Sequence, residues 1–398
     1  MPGRRPRLVQ ARKSAGSTQE ELAHRLGVDR TTVGRWESGE TEPQPWARRK
    51  LTALLGLSPS RLDAVLDGEP SGLAPLDDEI EALEMARRAE ASDVGEGTLV
   101  RLERAVDDLA GSYATAQPAE LLHRTRLHLR YVAQLMGART TLAEHRRLLV
   151  VGAWLSLLAA TLHVDLEQQA PALARLAVAG SLARECEHDE LRAWCLETEA
   201  WRVLTLGEYG RAAELSRGAQ RLAPAGTSAL IQATAQEGRA RARLGDARGT
   251  QQAVGRVQRL VSPLQAPDRP EHHYRYDPAK AISYTATTLS WVGDPAAVDV
   301  AREVITRLSA PDDHGGRPRR LAVARLDLGL ALIRQDDIDE AVHLAVAAVA
   351  SGRVTPSNTW RAVEVFHAAE AAGTRAATPL RDLLATYRCW SERLHREL

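Results

Sequence analysis

Cysteine, lysine and strand-like patterning are all scarce in this chain of 398 residues, and each scarcity excludes something. The three cysteines, Cys186, Cys195 and Cys389, show no C-x-x-C spacing and no adjacent histidine cluster. Neither a disulfide framework nor a thiolate metal site is built from them, and they read as buried thiols in a reducing cytoplasm. Lysine occurs at Lys13, Lys50 and Lys280, and every other cationic side chain apart from histidine is arginine, a bias typical of a GC-rich genome. No apolar h-region accompanies the basic start MPGRRPR, so no secretory signal is expected. The longest apolar run, Leu148 to Leu162, is interrupted by Gly152 and Ser156 and falls short of the roughly 20 residues a membrane span needs, so it reads as a buried helix. G-x-S-x-G, Walker and H-E-x-x-H motifs are missing as well. His272 and His273 stand in the Pro-rich stretch PDRPEHHYRYDP without acidic partners at metal spacing, and read as exposed loop residues that could belong to a flexible lid. An enzyme is therefore not expected, and neither is a metal or a cofactor.

What is present begins with a charge asymmetry. The formal net charge is zero, yet residues 1 to 50 contain 11 Lys or Arg against 6 Asp or Glu. A basic N-terminal end is the electrostatic footprint of a polyanion partner. The length is that of two or three domains.

Within that basic end, residues 18 to 38, TQEELAHRLGVDRTTVGRWES, read as two short helices around a tight turn. Thr18 suits an N-cap, followed by acidic residues in the first turn. Leu22, Ala23 and Leu26 share one face, and Gly27 can adopt the positive φ that ends a helix. A second helix opens at Asp29 or Arg30, buries Val33 and Trp36, and closes at Gly39. Arg30, Thr31, Thr32 and Arg35 remain on its outer side. These are residue types that meet base edges: arginine pairs with guanine in bidentate fashion, and threonine offers a hydroxyl and a methyl.

The run T-Q-E-E-L-A-x-x-L-G-V-x-R-x-T-V-x-R-W-E-x-G resembles the lambda-repressor-like, or Cro/cI-type (XRE), helix-turn-helix family over roughly residues 4 to 66. The resemblance implies helix 1 around Arg4 to Ala15 and helices 4 and 5 around Pro45 to Leu55 and Pro59 to Leu66. It makes Gln19 a phosphate or base contact, makes Arg30, Thr31 and Arg35 the main base readers with Thr32 beside them, and pairs Arg12 with Glu37 as a structural ion pair. Ser17 departs from the family, which usually has leucine there. With such a family the GC-rich bias points to a bacterial chromosome.

Beyond the head, residues 1 to 67, the stretch DGEPSGLAPLDD, residues 67 to 78, supplies a linker over residues 68 to 78, and residues 79 to 398 read as helical throughout. Basic residues Arg124, Arg126, His128 and Arg130 are expected on a solvated helix face. LGEYGRAAELSRGAQRLAP, residues 206 to 224, resembles the second half of a tetratricopeptide repeat, with Gly207 and Tyr209 at the turn and Ala212 and Ala219 at the helix crossing. Weaker copies begin at Leu244, Val292 and Arg334. Aligning their turns places Ala200, Gly238, Ala286 and Gly329 at one small position of each first helix, where two helices approach closely. Drifted copies are expected around residues 145 to 185 and 357 to 395. The expected fold is all-α: a five-helix head followed by a helical-repeat superhelix.

The inward positions of such an array would be Trp194, Glu197 and Trp201, then Gln232, Arg239 and Arg243, then Lys280, Ser283, Thr287 and Trp291, then Arg334. Tryptophan mixed with arginine and lysine suits an extended ligand that carries a carboxylate or other anion. The whole layout resembles cytoplasmic, nucleoid-associated bacterial regulators in which a Cro/cI-type head precedes a tetratricopeptide sensor. That resemblance implies double-stranded DNA with a palindromic operator as one partner, a peptide or small-molecule effector as another, repression or activation of transcription, and a homodimer with no membrane contact. The alternative is a constitutive DNA-binding adaptor that recruits a protein through the groove. The C-terminal helix, Leu380 to Leu398, with Leu383, Leu384, Tyr387, Trp390 and Leu394 on one side, is a candidate dimer face.

Overall fold

A computed structural model describes residues 5–66, 74–89, 93–265, 271–309, 317–374 and 377–386. All regular structure among these residues is helical, and the chain divides into two compact units, Met1–Glu79 and Ile80–Leu398.

The first unit contains α1 (Pro6–Ser14), α2 (Gln19–Leu26), α3 (Arg30–Ser38), α4 (Pro45–Leu55) and α5 (Pro59–Leu66). Proline opens α1, α4 and α5, where its missing N–H costs nothing and its fixed φ already suits a helix. Helix 1 is thus shorter at both ends than Arg4 to Ala15. Thr18 caps α2 in a reciprocal box: its hydroxyl accepts from the Glu21 amide at 3.2 Å while the Glu21 carboxylate accepts from the Thr18 amide at 2.7 Å. Gly27 and Gly39 end α2 and α3 in the left-handed conformation. Leu8, Leu22, Leu26, Val33, Trp36, Leu51 and Leu62 then meet in one core. Ser17 is buried where the family usually carries leucine, and its carbonyl accepts a 2.8 Å hydrogen bond from Arg12 Nη1.

The next helix, α6 (Ala74–Ala89), begins inside the stretch read as linker. Residues 67–73 lie outside the described residues.

In the second unit, α7 (Glu96–Ser112) and α8 (Pro118–Met136) precede five consecutive helix pairs. These are α9 (Leu142–Asp165) with α10 (Gln169–Glu185), α11 (Asp189–Thr205) with α12 (Tyr209–Leu222), α13 (Ser228–Arg243) with α14 (Ala247–Val261), α15 (Pro278–Val292) with α16 (Ala297–Leu308), and α17 (Pro318–Ile333) with α18 (Ile338–Ala350). A 3-10 turn (Pro356–Asn358), α19 (Thr359–Ala371) and a helical stretch at residues 377–386 complete the described residues. The turn inside each pair passes through the left-handed region, at Glu167, Gly207, Gly245, Gly293 and Asp336. At the aligned small position, a Cβ on Gly238 would stand 3.2 Å from Ala253 Cβ, and one on Gly329 would stand 3.3 Å from the Ala341 carbonyl oxygen. Ala200 and Ala286 are buried at the same place. The recurring small residue is therefore a steric requirement of close helix crossing.

Two expectations need correction. His128 is buried rather than part of a solvated face, and its Nδ1 lies 3.0 Å from the Arg124 carbonyl oxygen. Leu380 and Leu384 are buried in the unit's own core and Leu383 packs against it, so these three leucines do not form a free dimer face; Tyr387, Trp390 and Leu394 lie outside the described residues. The apolar run of α9 belongs to a helix that by length and composition alone could cross a membrane, but 89% of its most apolar window is buried against other helices. Cys186 and Cys195 are buried free thiols, and Cys389 lies outside the described residues.

Candidate functional site

Each unit offers one site. In the head, α3 divides into two faces. Val33, Trp36 and Glu37 are buried, whereas Arg30, Thr31 and Arg35 are exposed and Thr32 is half-buried. Arg35 lies 3.9 Å from the exposed carboxylate of Glu40.

Glu37 fixes the helix that carries these side chains. Arg12 reaches it from α1 with Nε at 2.7 Å from Oε1 and Nη2 at 3.4 Å from Oε2, and both side chains are buried. Gln19, at the start of α2, donates its Nε2 to the same carboxylate at 2.6 Å. One carboxylate thus joins α1, α2 and α3. Gln19 stands where the resemblance puts a DNA contact, but its amide nitrogen is engaged by Glu37. Arg5 strengthens the same corner: its amide donates to the Glu37 carbonyl at 2.7 Å and its guanidinium to the Thr41 carbonyl at 2.9 Å.

The second site is a cavity of about 200 Å³ on the inner side of the helix pairs. Its wall is built from the first helix of each pair, α9, α11, α13, α15 and α17. Of the eleven inward residues read from the sequence, eight line it: Trp194, Glu197, Trp201, Gln232, Arg239, Lys280, Ser283 and Thr287. Arg243, Trp291 and Arg334 do not, because each serves a helix junction. Arg243 pairs with Glu364 at 2.6 Å and stacks over Trp360 at 4.7 Å. Trp291 Nε1 donates to Asp327 at 3.0 Å. Arg334 donates to the Trp291 carbonyl at 3.3 Å, at the end of α15.

The sequence reading missed the far wall. Asp327 accepts from Thr287 at 2.6 Å, Trp291 at 3.0 Å and Arg361 Nε at 2.9 Å. Arg320 donates to Glu271 at 2.7 Å and to Ser283 at 3.1 Å. Asp165 is buried 3.6 Å from Arg319, and burial raises the pKa of its carboxyl above the usual value while Arg319 and neighbouring hydroxyls oppose the rise. Glu197 is also raised, first by burial, against the pull of Arg239 and a 3.0 Å hydrogen bond from Gln232. A signal for Asp327 existed: it is a lone acid inside the apolar run LDLGLALI, and such a group is rarely buried without partners.

The segment Glu271–Asp277 also departs from expectation. His272 and Tyr274 are buried, and Tyr274 packs between Trp154 and Trp194, with ring centroids at 4.8 and 5.2 Å. His273 lies against Tyr113 at 4.1 Å. Burial lowers the pKa of His272 to about 4 and that of His273 well below the ordinary histidine value, so both are neutral at pH 7. Lys280 Nζ donates to the carbonyls of His272, at 2.6 Å, and Arg275, which ties the segment down; burial lowers this amine to about 8. The histidine segment is a packed wall of the cavity and not a loose lid. Beside this segment, the turn between α7 and α8 is held by Arg319 to the Ala116 carbonyl at 2.7 Å and by Arg353 to the Thr115 carbonyl at 3.0 Å.

Comparison with known proteins speaks to the head. Residues 8–62 match the helix-turn-helix family. Among solved structures, PlcR of Bacillus thuringiensis in complex with the peptide PapR7 and DNA is similar at 13% identity, over 64% of this chain and 92% of that one. Its TM-score of 0.27 is too low for the two shapes to be equated. No curated protein matches the chain. Residues 8–62 are therefore a helix-turn-helix domain of the Cro/cI (XRE) type, placed ahead of a larger unit whose described residues form no strand.

Proposed function

We propose that this protein is a sequence-specific DNA-binding transcriptional regulator whose second unit holds a signal, peptide or small anionic molecule, in the cavity. The observation that supports it most directly is the division of α3: a pinned, buried face behind and Arg30, Thr31 and Arg35 exposed in front. A recognition helix presents this pattern to the major groove, with N-terminal side chains on base edges. Arg35 and Arg30 would pair with guanine, Thr31 and Thr32 would meet thymine methyls or phosphates, and Gln19 would act by orienting Glu37. As a dimer the protein would place two heads on half-sites about 34 Å, or a multiple, apart, and a ligand that altered the curvature of the helix pairs would favour or forbid simultaneous contact.

Selection of bound fragments from random duplex DNA tests this reading. The expected result is a sharp palindromic motif, and Arg35→Ala is expected to weaken binding to it by about 1 to 3 kcal/mol while relaxing preference at one position. Equal loss on random DNA would make Arg35 a phosphate contact. Diffuse, salt-sensitive binding without a motif would remove sequence specificity from the proposal.

The adaptor alternative is disfavoured by the cavity itself. A helix or strand of a partner protein needs a long groove, and the inner wall is narrowed by Glu271 and His273 and by Tyr113 and Ala114 of the α7–α8 turn, which all line the cavity.

A further inference from the structure

The charges around the cavity do not all balance in the same way. Asp327 has three donors, including the guanidinium of Arg361. Glu271 is paired with Arg317 at 2.8 Å and Arg320 at 2.7 Å. The Lys280 amine is spent on backbone carbonyls. Arg239 is different. It is 7% exposed, its Nη2 donates to the neutral side chain of Gln236, and its guanidinium lies 4.5 Å over the ring of Tyr284. The acid nearest in influence is Glu197, whose burial favours the neutral form.

Three donors in the lining are buried without a hydrogen-bond partner: Nη1 of Arg319, which faces the Asp165 carboxyl at 3.6 Å, and, with no acid beside them, Nε of Arg239 and Nε1 of Trp194, a residue 2% exposed. Buried donors are nearly always paired, and two left open in the lining of one cavity point to a missing acceptor. The space is small. A cavity of about 200 Å³ is near the size that holds a single benzene ring and below the range of drug-sized pockets, so it suits one or two rings with a short substituent better than an extended peptide. Among the polar residues of the lining, Trp201, Tyr284 and Tyr113 supply aromatic faces beside Trp194.

We propose that the cavity takes a single compact aromatic carboxylic acid, its carboxylate on Arg239 and its ring against Trp194 and Trp201. A carboxylate would supply acceptors to the open donors of Arg239 and Trp194, and the charge-assisted bond would replace the water lost on burial. This narrows the sensor reading above and rests on it.

The test uses the full chain and measures the melting temperature and tryptophan fluorescence with indoleacetate, phenylpyruvate and benzoate, each beside its neutral amide, and with a pool of random heptapeptides. At least one acid is expected to raise the melting temperature and quench fluorescence, with its amide about tenfold weaker or worse. Arg239→Gln is expected to abolish the preference for acid over amide while DNA binding without ligand is unchanged. If that variant does not fold, Trp201→Leu serves instead: acid binding must weaken while the ratio of acid to amide stays as in the parent. Equal binding of acid and amide would overturn the assignment of Arg239. Stabilisation by heptapeptides and by none of the acids would overturn this inference and leave the sensor reading standing. No response to any acid at millimolar concentration, with DNA occupancy equally indifferent to the peptides, would overturn both, and the cavity would then hold water alone.

Discussion

At the scale of single residues, Glu37 governs the head. It is 6% exposed, and it is compensated by a guanidinium from α1 and an amide from α2. Removing one partner of a buried pair leaves a charge in a poorly solvating site. Arg12→Ala is therefore expected to destabilise the head by about 3 to 5 kcal/mol, seen as lost hydrogen-exchange protection across α1 to α3 in the full chain. Unchanged protection would show that the pair is incidental. His273 carries a second expectation, in pH. Its folded-state pKa lies well below the ordinary value of 6.5 because burial, and then Lys280 and His272, oppose the charged form. Below about pH 6.5 the unfolded chain binds a proton that the folded chain does not, so stability present at neutral pH is lost as pH falls from 6.5 through the folded pKa. His272 acts in the same sense down to about 4. Asp165 and Glu197, raised by burial, act in the opposite sense, so the comparison has to be made between variants. His273→Phe keeps a ring against Tyr113 and should flatten the acid limb of the stability curve by about 1.4 kcal/mol per pH unit. An identical limb would mean that His273 is protonated in the folded state.

At the scale of elements, the helix pairs are set by where a Cβ can and cannot stand. Gly329 faces a backbone carbonyl of α18 at a distance that a methyl group cannot relieve by moving a side chain. Gly329→Ala is expected to cost about 1 to 3 kcal/mol. Gly255, inside α14, has as its nearest neighbour only the flexible end of Arg259 at 3.7 Å, so Gly255→Ala should stabilise by about 0.5 to 1 kcal/mol. Denaturant midpoints of the two variants must move in opposite directions; movement in the same direction would count against close crossing as the reason for Gly329. The same logic explains what could be read in the chain. Ala200, Gly238, Ala286 and Gly329 stand at one position because sterics repeat with the turn, and that regularity carried eight inward residues to the cavity. It failed at Arg334, because the lining of α17 sits towards its start, at Arg319, Arg320 and Asp327, while Arg334 caps α15 instead. A register copied from turn to turn cannot anticipate that shift.

At the scale of the whole molecule, the proposed function divides between the two units. The proposed palindromic operator needs two heads, so sedimentation of the full chain is expected to give twice the mass of 43.4 kDa at micromolar concentration. A monomer at that concentration, together with a non-palindromic binding motif, would reject the dimer.

By itself the sequence determined the head almost completely. Its helices are short, each start and stop is marked by a cap, a proline or a glycine, and the partners Arg12 and Glu37 lie within one local motif. It also determined the all-helical class and the turns of the second unit, since these depend on neighbours a few residues away. Tertiary structure alone decided the cavity's far wall and the fate of Glu271–Asp277. Asp327 meets Arg361, Arg320 meets Glu271 and Arg353 meets the α7–α8 turn across separations of 34, 49 and 238 residues. Burial of each charge depends on a partner that no local pattern names.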